Sequence, residues 1–287
     1  MSWTIIAPST EPRPALWRRI LDSRFMPPIF ITLILLVGNF SFGILESYTR
    51  TLLAIATSVT GELILGRVFL KKWPHPASAY ITGISVGILL RSPAYWTYFL
   101  CAALSISSKY ALRFRNRHIW NPSNFGICAM LFLASDSVAG LSIQWGNNLA
   151  SLIVIWVLGS VIVWRARRFS ITATYVASFI ALSFLRSWIT GDPWQSEISP
   201  ITGPMYQLFI FFMITDPKTT VRSRIGQCIV AFAIALVEFF MRLGSSVYAP
   251  LYALFWVGPA ALFIEMWLDS RGSRTAVPAA VPGAQPA

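Results

Sequence analysis

Ten apolar runs follow one another along the chain, each near or at the length needed to cross a lipid bilayer, with short polar connections between them. They fall at about 27–45, 51–70, 77–90, 94–110, 122–138, 148–164, 171–188, 202–215, 225–241 and 250–267. A membrane-crossing helix takes about 20 mostly apolar residues. Lipid offers no water to a bare N–H or C=O, so a run of this kind must form a helix. Apolar residues make up 55% of the 287 and charged residues only 12%, so no soluble catalytic domain of ordinary size is left over. The expected fold class is all-α: a polytopic membrane protein of about ten transmembrane helices. Two runs, 77–90 and 202–215, hold 14 residues each. That gives roughly 21 Å of helix against an apolar core of about 30 Å, so these two are expected to cross with unwound or broken ends.

The charge tests this layout. Lys and Arg total 23 against 11 Asp and Glu. If the N-terminus is cytoplasmic, 18 of the 23 fall in cytoplasmic segments, at 13–24, 71–72, 109–117, 165–168, 218–224 and 271–274, and four (Arg50, Arg91, Arg186, Arg242) fall outside. That bias follows the positive-inside rule and expects both termini in the cytoplasm. No small-residue cleavage site follows the first run, so a retained first helix is expected rather than a signal peptide. The basic residues form no stripe interleaved with aromatics, which argues against nucleic acid. Trp73, Trp96, Trp120, Trp145, Trp164, Trp188 and Trp267 sit at run ends, where bilayer interfaces favour indole rings. Cys101, Cys128 and Cys228 form no metal-ligand spacing and read as inert buried thiols, so no metal site is expected.

An internal echo divides the chain. Ile81-Thr82-Gly83 recurs 120 residues later as Ile201-Thr202-Gly203, and the same shift lays run one on run six and run two on run seven. Run three ends in Arg91-Ser92-Pro93 and run eight in Thr215-Asp216-Pro217. Five runs per half force the second half upside down, a 5+5 inverted repeat. The resulting divisions are a basic cytoplasmic segment 1–26, a first repeat 27–138, a second repeat 146–267 and a cytoplasmic tail 268–287. The last residues of that tail are rich in Ala, Pro and Gly and are expected to be disordered. Inverted repeats place their sites near the bilayer midplane, between broken helices. The expected walls are breaks at Thr82-Gly83 and Thr202-Gly203.

Two segments carry candidate chemistry. In His118-Ile119-Trp120-Asn121-Pro122-Ser123-Asn124-Phe125-Gly126, Asn121 reads as a helix N-cap and Pro122 as first-turn proline. Asn124 lies deeper, where a buried amide needs partners. In Met213-Ile214-Thr215-Asp216-Pro217-Lys218, Asp216 and Pro217 read the same way, or as a weak surface ion pair of Asp216 with Lys218 or Arg222. Glu62 and Glu238 lie within apolar runs, where an ionisable residue is costly and marks an ion path by default. Glu238 has Arg242 four residues on as a ready partner, whereas Arg67 is off the face of Glu62. His118 and His75 read as headgroup contacts.

Trp120 through Gly126 and Met213 through Pro217 resemble the two motifs of the RnfD/NqrB family of membrane subunits, F-N-P-[AS] opening the fifth span and M-x-T-D-P ending the eighth. The form here is closer still to a branch identified with enediyne-biosynthesis membrane proteins. The resemblance covers roughly residues 27–267 in span order. It implies ten helices in an inverted repeat, a bacterial inner-membrane location, other membrane subunits of a redox complex as partners beside the lipid bilayer, and electron transport coupled to ion movement. Redox members carry FMN linked to a Thr in an S-[GT]-A-T motif on the external side. The nearest text here is Ile171-Thr172-Ala173-Thr174, without the leading Ser and on the cytoplasmic side of the layout. Covalent FMN is therefore not expected, and non-covalent FMN or riboflavin near Asn121 and Asp216 is what the resemblance leaves.

Two functions stay open at this point. One is a membrane subunit of an oxidoreductase or translocase complex, which is the most enzymatic role the sequence admits. The other is a small-molecule or ion transporter on the same scaffold with no redox cofactor. The candidate ligand residues are Thr82, Gly83, Asn121, Pro122, Asn124, Gly126, Thr202, Gly203, Thr215 and Asp216, with Glu62 and Glu238 on an ion path.

Overall fold

In a computed structural model of the chain, residues 26–43, 45–115, 117–140 and 149–275 are described. The basic segment before them, Trp145 and the tail beyond Thr275 lie outside the described residues. Helices account for most of the rest. They are α1 (Met26–Phe42), α2 (Tyr48–Leu70), α3 (Ala77–Leu89), α4 (Tyr95–Ala111), α5 (Pro122–Leu133), α6 (Leu149–Arg165) and α7 (Phe169–Thr190). A broken stretch follows: α8 (Trp194–Ile198), a 3-10 turn (Ser199–Thr202), α9 (Pro204–Leu208) and a wide π-type turn (Phe209–Met213). Then come α10 (Arg224–Leu243) and α11 (Ala249–Thr275). Four of these helices, at Tyr48–Leu70, Phe169–Thr190, Arg224–Leu243 and Ala249–Arg271, are long and apolar enough to cross a membrane. Large apolar side chains lie bare on their outer faces, among them Leu52, Ile64, Phe184, Ile229 and Trp256. Such a surface suits lipid, not water.

Burial is concentrated at the centre. α3 is buried along almost its whole length from Thr82 to Leu89, and so is the broken stretch from Pro204 to Phe211. The two pack on each other through α9. α2 and α4 flank α3, α5 packs on α4, α7 packs on α10, and α10 packs on α11. α1 meets α6, and α5 meets α11.

The thin spots of this packing are glycines. A Cβ on Gly83 would stand 2.5 Å from Cα of Ile55, and one on Gly126 would stand 2.0 Å from Ser105 Oγ and 2.6 Å from the Cys101 carbonyl oxygen. Backbone-to-backbone approach of α2 to α3 and of α4 to α5 requires glycine there.

Most of the expected runs coincide with helices, and two expectations are corrected. α3 starts at Ala77 and runs unbroken through Thr82 and Gly83, with Thr82 Oγ1 donating to the Ser78 carbonyl at 3.0 Å. The break at Thr202-Gly203 is present: Gly203 is extended at φ −77° and ψ 152°. The same tripeptide behaves differently because Pro204 follows Gly203 and Pro200 precedes it, and neither proline has an N–H to continue a helix. α5 ends at Leu133 rather than near 138, and Ala139–Gly140 turns back to pair antiparallel with Leu90–Arg91.

Connections gather at two ends. At one, the guanidinium of Arg117 donates to Glu265 (2.5 Å), to the Thr220 carbonyl (2.5 Å) and to the Lys218 carbonyl (3.3 Å), while Glu265 also accepts from the Arg222 N–H at 2.5 Å. Arg168 donates to the Val221 carbonyl at 3.3 Å. This clasp joins the 112–121, 166–168 and 214–223 connections to α11. At the other end Glu46 accepts from Arg50, from the Ser92 N–H and from the Tyr98 hydroxyl, and Arg186 and Arg242 both pair with the buried Glu197.

Candidate functional site

A cavity of about 570 Å³ opens at the Arg117 end. It is walled by α2, the 71–76 connection, α3, the end of α4, a short hairpin, the start of α5, the end of α6 and the close of the broken stretch. The hairpin pairs Arg113–Phe114 with Arg117–His118, and this folds the chain back so that α5 begins at the cavity wall.

Asn121 caps α5 as its sequence foretold. Its Oδ1 accepts from the Asn124 N–H at 3.1 Å and from Ser123 Oγ at 2.9 Å, with Pro122 in the first turn. Its Nδ2 is then free to donate to Asp216 Oδ2 at 3.2 Å, 95 residues away. The two motif segments meet at this bond.

Asp216 is not a helix cap, which corrects the reading of Asp216-Pro217. The next helix starts at Arg224 with Ser223 as its cap. Asp216 instead organises a turn: its Oδ1 accepts from the Lys218 N–H at 3.0 Å, and its carbonyl accepts from the Thr220 N–H and hydroxyl. Burial pushes the Asp216 carboxyl above its ordinary value, opposed by the Lys218 N–H and by the charges of Lys218 and Lys109. No ion pair of Asp216 occurs among the described residues.

Glu62 lies on the cavity wall, and its partner comes from α4. Lys109 Nζ donates to Glu62 Oε2 at 2.5 Å and reaches Ser78 Oγ at 3.3 Å. Both ionic side chains are buried, at 8% and 3% exposure. Nothing in sequence spacing pairs residues 47 apart, so Lys109 was missed.

His118 was missed as well. It is buried at 6% exposure rather than at a headgroup surface. Its Nδ1 lies 3.1 Å from the Lys109 carbonyl, which can only accept, so Nδ1 carries the proton and Nε2 presents a lone pair. Nε2 is buried and has no hydrogen-bond partner among the described residues. Burial, followed by the charges of Lys218, Lys109 and Arg113, lowers its pKa to about 3. The signal that would have flagged it is the basic run 113–117, whose tight reversal turns the next residue inward.

Of the sequence candidates, Glu62, Thr82, Asn121, Pro122, Thr215 and Asp216 line this cavity. Gly83 and Gly126 are buried packing contacts. Asn124 is fully buried and ties α5 to α11, its Nδ2 donating to the Leu251 carbonyl at 3.0 Å. Thr202 and Gly203 lie away from the cavity, at the head of α9, where Thr202 Oγ1 donates to the Ser199 carbonyl. Glu238 does not pair with Arg242: it accepts from the Tyr175 hydroxyl at 2.5 Å and the Tyr206 hydroxyl at 2.6 Å. Arg242 instead turns to Glu197 at 3.0 Å and stacks over Phe179. A small void of about 10 Å³ lies between α3 and α9 beside Gln207. In Ile171–Thr174, the nearest echo of a flavin-bearing motif, Thr172 is buried and donates to the Ile210 carbonyl, while Thr174, at the flavin-bearing position, is half-buried. Among the described residues no His, Cys, Asp and Glu side chains cluster in a way that holds a metal.

No protein-family model matches the chain, and no curated protein matches it.

Proposed function

We propose that this chain is an RnfD/NqrB-like membrane subunit of ion-coupled electron transport, and that the cavity at Asn121 and Asp216 holds FMN or riboflavin without a covalent link. The observation that carries this reading is the Asn121–Asp216 hydrogen bond, which brings both resembling motifs to the wall of one cavity. The cavity suits such a group in two respects. Its volume accommodates a ligand of drug size. Phe211, Phe212 and Tyr110 give it aromatic walls. A bound flavin would supply one- and two-electron redox chemistry, and Asn121 and Asp216 would hold it at the cavity wall.

The proposed architecture is ten crossings in a 5+5 inverted repeat with both termini cytoplasmic, in a bacterial inner membrane beside other redox subunits. Two observations support it. The neighbour pattern repeats: α2 lies on α4 and α4 on α5, just as α7 lies on α10 and α10 on α11. The connections alternate between two ends, and Arg113, Arg115, Arg117, Arg168 and Lys218 all fall at the cavity end, which the positive-inside rule assigns to the cytoplasm.

The test is the visible absorption spectrum of the protein purified in mild detergent with FMN and riboflavin added, recorded before and after denaturation and filtration. A flavin band that leaves on denaturation is expected. A band that stays with the chain overturns the non-covalent reading, and a protein that takes up neither flavin overturns the redox reading. The buried Glu62–Lys109 pair favours a second reading, a transporter whose cargo opens that ion pair. Solute or ion flux into proteoliposomes with no electron donor present would select it.

A further inference from the structure

α6 has two unlike faces. Toward the centre, Gly159 lets it close on Phe211, and Ile162 and Ala166 reach the wall of the large cavity. On the other face Ile153, Val157 and Trp164 are exposed. With Trp156, Val161 and Phe169 at the start of α7 they wall a groove of about 590 Å³. Residues 166–168 alone join α6 to α7, yet the two helices pack little on each other. From Ile153 to Trp164 helical rise gives about 17 Å, and half of a bilayer's apolar core is about 15 Å. The groove therefore has the depth of one leaflet. A whole helix of that length, about 10 Å across, fills roughly 1,300 Å³, so the groove takes a slimmer guest.

The end of the groove is basic. Trp164 and Phe169 flank the connection 166–168. Arg165 and Arg167 are exposed there and make no ion pair among the described residues, whereas Arg168 donates to the Val221 carbonyl. The negative end of the helix dipole accounts for a cation at Arg165. It does not account for the backbone of Arg167. The Arg168 N–H donates to the Val163 carbonyl and the Arg167 N–H to the Trp164 carbonyl, both at 2.9 Å, a helix ending that usually puts glycine at the position of Arg167. Arg167 has φ 56°, a left-handed conformation that a side chain enters at a cost. A cation stands where glycine would close the turn at lower energy.

We propose that this groove binds one anionic phospholipid of the cytoplasmic leaflet. An acyl chain lies along α6, the phosphate meets Arg165 and Arg167, and Trp164 sits at headgroup level. The groove supplies the length and the two arginines supply the charge. From the reading above the proposal takes only the crossing of α6 with its end at the cytoplasm, and no flavin enters it.

The test uses the full chain in mild detergent, given phosphatidylglycerol or phosphatidylcholine with the same acyl chains. Retained lipid is counted by native mass spectrometry, and Tm is followed by thermal unfolding. One phosphatidylglycerol should be retained over phosphatidylcholine by at least about fivefold, the scale of one arginine at an anionic surface, and should raise Tm. Arg165→Gln with Arg167→Gly should remove the preference. Glycine suits the left-handed turn, so Tm in phosphatidylcholine should hold or rise, which separates a lost lipid from a lost fold. Val157→Trp, which puts a ring into the groove, should lower retention of both lipids. Lys72→Gln removes an exposed cation that is not on the groove wall and should change nothing. Equal retention of the two lipids overturns the proposal. So does a loss from Lys72→Gln as large as that from the arginine pair, which would make the attraction a property of the whole face. Retention unmoved by Val157→Trp overturns the groove as its seat. A dimer in light scattering that Val157→Trp splits also overturns it and gives the groove to a second copy. None of these outcomes bears on flavin uptake, so the two readings fail separately.

Discussion

A buried ion and its neighbour decide more at the residue scale than any motif does. Glu62 and Lys109 are each desolvated and each depends on the other, so removing one strands a charge. Glu62→Gln or Lys109→Met alone should cost about 3–5 kcal/mol, and the double replacement should recover most of it. Denaturant or thermal unfolding of the four variants checks this, and additive losses would show that the pair is not coupled. His118 gives the pH dependence. Its folded pKa of about 3 lies below the roughly 6.5 of an unfolded histidine, so the unfolded chain binds the extra proton. Its contribution to stability is therefore complete above pH 6.5 and is lost as pH falls toward 3. Asp216 acts in the opposite sense, because its raised pKa favours the fold at low pH and loses that contribution as pH rises. The expected result is a Tm that drops between pH 7.5 and pH 5 in the native chain and drops less in His118→Gln, because burial first, and then the charges of Lys218, Lys109 and Arg113, hold the imidazole neutral.

At the scale of the element, one glycine sets the distance between α4 and α5. Gly126→Ala puts a methyl onto Ser105 Oγ and the Cys101 carbonyl, and a backbone oxygen cannot swing aside. A loss of about 1–3 kcal/mol in thermal unfolding is expected, against less than half that for Gly258→Ala, where the nearest atom is a leucine methyl at 3.5 Å. Asn124→Ala breaks the tie to Leu251 and should cost about 1–3 kcal/mol while ligand affinity holds. Helix ends were the part of this architecture readable in advance, because they are written locally. Asn121-Pro122 announces α5, and Pro200 with Pro204 announces the break at Gly203. The break expected at Thr82-Gly83 failed because a tripeptide carries no instruction without the prolines beside it. Asp216-Pro217 failed for a related reason: Asp216 spends its side chain and carbonyl on a four-residue turn before any helix begins.

For the molecule as a whole, the apolar periodicity was legible and the meeting of distant segments was not. Asn121 and Asp216 were both singled out from their own surroundings, yet only the fold places one amide against one carboxylate. Lys109 and His118 were invisible for the opposite reason, since their roles come from partners in other helices. The proposed layout predicts which loops face out. In a chain freed of its three cysteines, Ser245→Cys should react with a membrane-impermeant maleimide on intact cells and Ser270→Cys only after lysis. Labelling of both on intact cells would invert or break the ten-crossing scheme. The Arg117 clasp adds a boundary of a different kind. Glu265 is where α11 grips the loop that carries Asp216, so the chain's far end is part of the cavity's frame. A protein shortened after Arg271 keeps its grip, whereas one shortened before Glu265 leaves two hydrogen bonds, one from Arg117 and one from Arg222, to find other acceptors, and a tag fused close behind α11 pulls on the floor of the site.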